Sequence, residues 1–365
     1  ICNVPTTAEH PHIVDSVLLI LHDWSGCLAL EGEEIDNERG VIREEWRTGA
    51  TAQRRLYKQM NALMFPNTQY GKRDVIGDTA VINNFSYEAL RAYYEKWYNP
   101  ENQCLVIVGN IDVDKYEQKI KDLFSGIKAP ENAGKVEPVA VPDNEQTIFS
   151  IDRDKEMQQN IVGIMFKHEA IKPEEKLNMD YLIVDYVQDA IRYMTNQRLA
   201  DMALKADCPF LGADGSDGDY FFSDTKGAFT IEGVVKEGKE AESLKAFYVE
   251  ARRIAEFGFT ATEFERFKQE YMSNLDNALA NKDKRNSHSL AMQYYNYLHN
   301  NPMPGIDEYT MIMKQLVPNI PVEAVNEMAK QFIQPSDKNA VVMCWNVEKE
   351  GNTYPTEETL KPAIE

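Results

Sequence analysis

The chain has 365 residues, of which 43% are hydrophobic and 27% charged, and 59 acidic against 39 basic side chains leave a net charge of −20. That length accommodates two domains with separate cores, and the composition is ordinary for a globular protein. A pI near 4.8 argues against nucleic acid or an anionic membrane as partner, and no run approaches the ~18 apolar residues of a membrane span. The five cysteines are odd in number, with no C-x-x-C pair, which excludes a disulfide framework or a zinc ribbon. Cys27, Cys104 and Cys344 lie in apolar stretches and are expected to be buried free thiols. The chain starts at Ile1 without a signal-peptide pattern, which suggests a processed protein or an excised fragment.

In chain order, the first element is a helix through SVLLILHDW from Ser16, with Val17 to Leu21 as a core segment. His10 and His12, at i and i+2, read as plain surface. His22-Asp23 reads as a hydrogen-bonded core or rim histidine, since no nucleophile matches it. The next helix carries ERGVIREEW, residues 38 to 46. With Ile35 at zero and about 100° per residue, Val41, Ile42 and Trp46 fall near 240°, 340° and 20°. Glu38 and Glu45 fall near 300° and 280°, inside that apolar sector. A buried carboxylate costs several kcal/mol unless it is paired or bound to a metal, so this pair is expected to have a partner. The plain alternative is a partly exposed helix whose acids meet Arg39 or Arg43.

Further along, YEALRAYYEKWYNPENQCLVIV (87 to 108) predicts an amphipathic helix, a proline-led turn and a short strand. Leu90, Tyr93, Tyr94 and Trp97 share one helical face and are expected in the core. Residues 128 to 146, rich in Pro, Gly and charge, read as a linker. Beyond it, TIFSID, NIVGIMF, YFFSD and GAFTIEGVV predict strands, and a long helix is expected from about Pro173 to Lys205. GADGSDGD (212 to 219) reads as a polar turn: the twelfth position of an EF-hand loop counted from Asp214 is Thr225, not Glu. Its glycines make no phosphate loop either. Thr260 and Glu263 form a capping box opening another long helix. The segment 346–365 reads as a second linker or tail.

A degenerate repeat runs through the chain. Residues 87 to 108 lie over 322 to 343, pairing Trp97 with Phe332 and Pro100 with Pro335. A second block pairs Ser16 with Ser243 and Glu38-Arg39 with Glu265-Arg266, so that Glu45 faces Met272. The expected fold is α+β: two homologous domains, 1–127 and 147–345, each an antiparallel-rich sheet with helices on one face. The second copy holds about 81 more residues before its matching helix, so the first domain is expected to be truncated at its N-terminus.

These residues resemble the pitrilysin/insulinase family of zinc metallopeptidases, the inverzincins, over nearly the whole chain. ERGVIREEW resembles the family's Glu-Arg-x-Val-Val-x-x-Glu helix; Ile76-Gly77 through SYEALRAYYEKWYNPENQCLVIVGNID resembles its Gly, helix, turn and strand, with Asn110 in place of Asp. QNIVGIMFKHEA resembles the opening strand of its second domain. The resemblance implies that Glu45 is the third zinc ligand and Glu38 an acid that orients the site. The family's other ligands and general base lie in H-x-x-E-H, which is absent; TTAEH (6 to 10) is the nearest imitation, with Thr6 at the first histidine position. The family's Arg/Tyr pair for the tetrahedral intermediate is also missing, with Lys205 and Leu211 near its places. The implied function is that of an inactive fragment of a zinc metalloendopeptidase acting on peptides or unfolded segments, whose chamber a second homologous half closes. Likeness to bacterial envelope members favours a periplasmic setting. The alternatives are a catalytically dead scaffold subunit and a peptide-binding module that does not cut.

Overall fold

A computed structural model describes residues 3–5, 10 and 12–365. Its elements in order are α1 (Ile13–Gly26), α2 (Gly32–Thr48), α3 (Ala52–Met64), α4 (Gln69–Lys72), α5 (Thr79–Asn84), α6 (Tyr87–Trp97), α7 (Val113–Phe124), β1 (Ile148–Asp154), β2 (Asn160–Glu169), α8 (Met179–Ala203), β3 (Phe210–Asp219), β4 (Lys226–Val235), α9 (Glu240–Phe257), α10 (Ala261–Ala280), α11 (Ser287–Leu298), α12 (Ile306–Leu316), α13 (Val322–Phe332), β5 (Ala340–Val347) and α14 (Glu357–Leu360). Side chains stop the helices at their starts: Thr51, Ser86 and Asn178 accept from N–H groups three residues on. Thr260 and Glu263 form the expected capping box. The chain divides into two compact units. One takes residues through Thr48 with Val75–Glu137 and Arg285–His299; the other takes Gly49–Asp74, Pro138–Lys284 and Asn300–Glu365.

The second unit is α+β, built on a five-stranded sheet of order β1-β5-β2-β4-β3. β1 and β5 run parallel and the other pairs antiparallel. Period-2 alternation divides the central strands between two cores. Val162, Ile164, Phe166, Ala340, Val342 and Cys344 face the larger core, with Tyr186, Leu244, Phe247 and Val325 from the helices. Met165, Val341, Met343 and Trp345 face the opposite way, onto Leu56, Met60 and Met64 of α3 and onto Phe65 and Tyr220.

Two expectations about this unit are corrected. GADGSDGD is not a turn but most of β3, paired with β4 almost throughout, and YFFSD supplies the turn after it. Low strand propensity is overridden by packing. A Cβ on Gly215 would lie 2.5 Å from Thr195 of α8, and Asn196 Oδ1 accepts the Gly215 N–H at 2.7 Å. Only a strand without a side chain there lets the helix approach so closely.

The first unit is helical among its described residues. Here the predicted strand at Cys104–Val108 does not form: the segment is extended without ladder partners. Its repeat counterpart β5 lies hydrogen-bonded between β1 and β2. A strand needs neighbours for its N–H and C=O groups, and the described residues of this unit offer none. For the same reason the aromatic face of α6 is not core. Tyr93 is 59% exposed, and Leu90, Tyr94 and Trp97 are only half-buried. In α1, Leu18 is buried but Leu19 and Ile20 are exposed, so the apolar run is only partly core. An apolar trough of about 1160 Å³ runs along the unit, lined by Leu18, Trp24, Val106, Val108, Met292 and Tyr295 among others.

Candidate functional site

Glu38 and Glu45 both lie on α2, seven residues and about 10 Å apart, two turns along one face. The opposite face is the one that is held. Arg39 donates to the carbonyls of Ile82 and Phe85 (2.7 Å to the latter) and to Asp36 at 2.9 Å. Its guanidinium also lies 3.9 Å from the centre of the Phe85 ring. Arg43 donates to Asn83 at 3.0 Å, and Tyr87 donates its hydroxyl proton to Asp36. That hydroxyl, with Arg39 behind it, holds the Asp36 carboxyl below its usual range. Ile35 is buried on this anchored side.

The consequence corrects the helical-wheel reading. Glu38 and Glu45 are exposed, Val41 is 57% exposed and Trp46 36% exposed. The apolar sector is therefore split: Ile35 and part of Ile42 meet the unit, while the sector holding Val41 and both acids faces solvent. No desolvation cost arises in this chain, and among the described residues neither carboxylate has an ion-pair partner. The expected Arg39 and Arg43 do not serve them; they reach α5 instead.

A catalytic zinc takes three protein ligands and an open position. The described residues do not supply that set at Glu45. Among the described residues the ligand group found, His22, Asp23 and Cys27, excludes it. Within TTAEH, residues 6 to 9 lie outside the described residues, as does Cys2; His10 is exposed. His12 is exposed, 4.0 Å from Asp15. His22 is a rim histidine, its Nδ1 3.0 Å from Asp23 Oδ1. Cys344 is buried as expected, and burial pushes its thiol up to about 12. Cys27 and Cys104 are exposed, against expectation, because the stretches around them are not covered within the unit. Lys205 and Leu211 are both exposed, after α8 and in β3.

Two buried polar clusters in the sheet unit had no signal in the sequence beyond residue type. His168 Nε2 lies 2.8 Å from Asp217, whose other oxygen accepts from Gln188 at 2.7 Å, while His168 Nδ1 lies 2.9 Å from the Glu169 carbonyl. Arg198 in α8 donates to Glu263 at 2.5 and 2.9 Å, to Glu250 at 3.1 Å and to the Gly258 carbonyl at 3.0 Å. The contacts between segments span 29 to 65 residues of sequence, which no spacing rule reaches.

The fold is shared with solved bacterial proteases. The first half of the periplasmic protease PqqL from Escherichia coli superposes with a TM-score of 0.82 at 22% identity, covering 99% of this chain and 73% of that one. The structure of PqqL as crystallised at greater length gives 0.83, with 40% of it covered. Residues 84–271 match the family described as the peptidase M16 inactive domain, and the chain belongs to the peptidase M16 family. Among curated sequences it is 25% identical to "Probable zinc protease PqqL" of Escherichia coli (strain K12) over 340 residues. It is 24% identical over 326 residues to "Zinc protease PQQL-like" of Arabidopsis thaliana. It spans 92% and 89% of its own length in these matches but only 35% and 31% of theirs, about a third of each relative. No helix among the described residues is long and apolar enough to cross a membrane.

Proposed function

We propose that this chain is part of a zinc-dependent metalloendopeptidase that hydrolyses peptides, in which Glu45 is one zinc ligand and Glu38 orients the site. The observation that carries this is the polarity of α2. One face is tied down through Arg39 and Arg43, while the other presents Glu38, Val41 and Glu45 uncovered. A ligand helix held from behind by charged hydrogen bonds has the rigid footing that a metal site requires. The remaining ligands and the base come from outside this chain, so the chain alone is inactive. The unpaired Cys104–Val108 segment and the trough beside it support a first domain, residues 1–127, whose sheet is completed by a further segment of a longer protein. The names of the curated relatives support zinc, and the description of PqqL as periplasmic supports a periplasmic setting. A second homologous half would close the peptide chamber, as the description of a first half of PqqL suggests.

The test compares zinc content and peptide cleavage in the longer parent, its Glu45→Gln variant and this 365-residue chain. The expected result is that the parent cleaves and holds about one zinc more than the variant or the isolated chain, neither of which cleaves. A parent that holds no zinc and cuts nothing overturns the reading. The second reading, a catalytically dead scaffold or peptide-binding subunit, would then take its place; the description of the matched family as an inactive domain favours it.

A further inference from the structure

The last turn of α1 and the residue that caps it bring together three side chains of different ligand chemistry. One ring nitrogen of His22, a carboxylate oxygen of Asp23 and the Cys27 sulfur all lie within 4.8 Å of one another. We infer that His22, Asp23 and Cys27 form a binding site for a single divalent transition ion of the zinc type, with water completing the tetrahedron. The site is separate from the one proposed at Glu45 and shares no residue with it.

Imidazole, thiolate and carboxylate are the donors that zinc accepts, whereas calcium and magnesium reject sulfur. Around a tetrahedral zinc, neighbouring donor atoms stand about 3.3–3.6 Å apart. Closure from the observed spacing needs only side-chain rotation, because Cys27 is exposed and the Asp23 side chain is 54% exposed. His22, by contrast, is already placed: its side chain is 19% exposed, and its ring meets the Phe124 ring edge-on at 5.5 Å.

The backbone beneath is fixed too. The Cys27 N–H closes the helix onto the Asp23 carbonyl, and the Tyr94 hydroxyl donates to the Trp24 carbonyl at 2.9 Å. The carbonyl end of α1, carrying about half a negative charge, adds to the attraction for a cation there.

Cobalt(II) is the probe, because its bands report ligand identity. Titrated into the reduced chain, it should give a thiolate charge-transfer band and the visible bands of a four-coordinate ion. Cys27→Ser and His22→Gln should each abolish these or weaken binding on the order of 100-fold or more, while Glu45→Gln and Cys104→Ser should not. In the unsubstituted chain, zinc should protect Cys27 from alkylation and leave Cys104, also exposed, reactive. Absence of the thiolate band, its survival in Cys27→Ser, or equal protection of both cysteines would each overturn the assignment. Loss of metal in Glu45→Gln would place the ion at the other site.

Discussion

Replacing Arg198 with Met should destabilise the sheet unit by about 3–5 kcal/mol, the cost of breaking a buried ion pair by removing one partner. The Arg198 side chain is 10% exposed and that of Glu250 4%, so the substitution leaves a carboxylate with little water to turn to. Glu263 gives a second route to the same magnitude. Burial pushes its carboxyl up, but hydrogen bonds from Arg198 and Thr260 more than offset this, bringing it down to about 2. Against an ordinary value near 4.5, that is roughly 3 kcal/mol at neutral pH. The sign follows from the depressed folded value: the contribution is complete above about pH 4.5 and is lost as pH falls toward about 2. Urea unfolding at neutral pH and at several acidic values measures both quantities. The melting temperature should drop by on the order of 6–20 °C at neutral pH. A variant within about 1 kcal/mol of the parent at pH 7, or a difference that does not shrink on acidification, would refute the account.

Other outcomes are expected from neighbouring features. His168 donates from both ring nitrogens, to Asp217 and to the Glu169 carbonyl, which requires the imidazolium. Burial pushes its pKa down, but these acceptors raise it above the usual value overall. His168→Gln should therefore cost most below about pH 6.5, and the difference should fade as pH rises through the folded value; a pH-independent difference in urea unfolding would contradict this. Met60→Ala should cost about 2–5 kcal/mol in the same unit, because Met60 is fully buried against the sheet; a change under 1 kcal/mol would mean that α3 does not cover that face. Gly258 has φ +68°, and a Cβ there would lie 2.3 Å from Asn326, whose amide pairs with the Phe259 backbone. Gly258→Ala should cost about 1–3 kcal/mol or more by thermal unfolding, and Asn326→Ala in the same background should recover part of the steric share.

Period and punctuation in the sequence were enough for the α+β class and for half of the α-helices described, α1, α2, α6, α8, α9, α10 and α13. The repeat also brought out a shared order: α1 and α9, α2 and α10, α6 and α13 follow one another in both copies. Helices form from contacts three or four residues away, so a local pattern carries them. Strands are different. CLVIV and AVVMCW have the same apolar character, yet only the second is a strand, because only the second has neighbours to bond. GADGSDGD has poor strand propensity, yet it is a strand because β4 and the close approach of α8 hold it.

The same distinction applies to the site. That Glu38 and Glu45 share a helical face is fixed by their spacing. Whether that face looks inward depends on where Arg39 and Arg43 find acceptors, and those lie on a separate segment that the spacing does not reach. Tertiary contacts placed the acids outward and buried Arg198 between two glutamates. Each outcome joins groups that the chain's own local geometry leaves free.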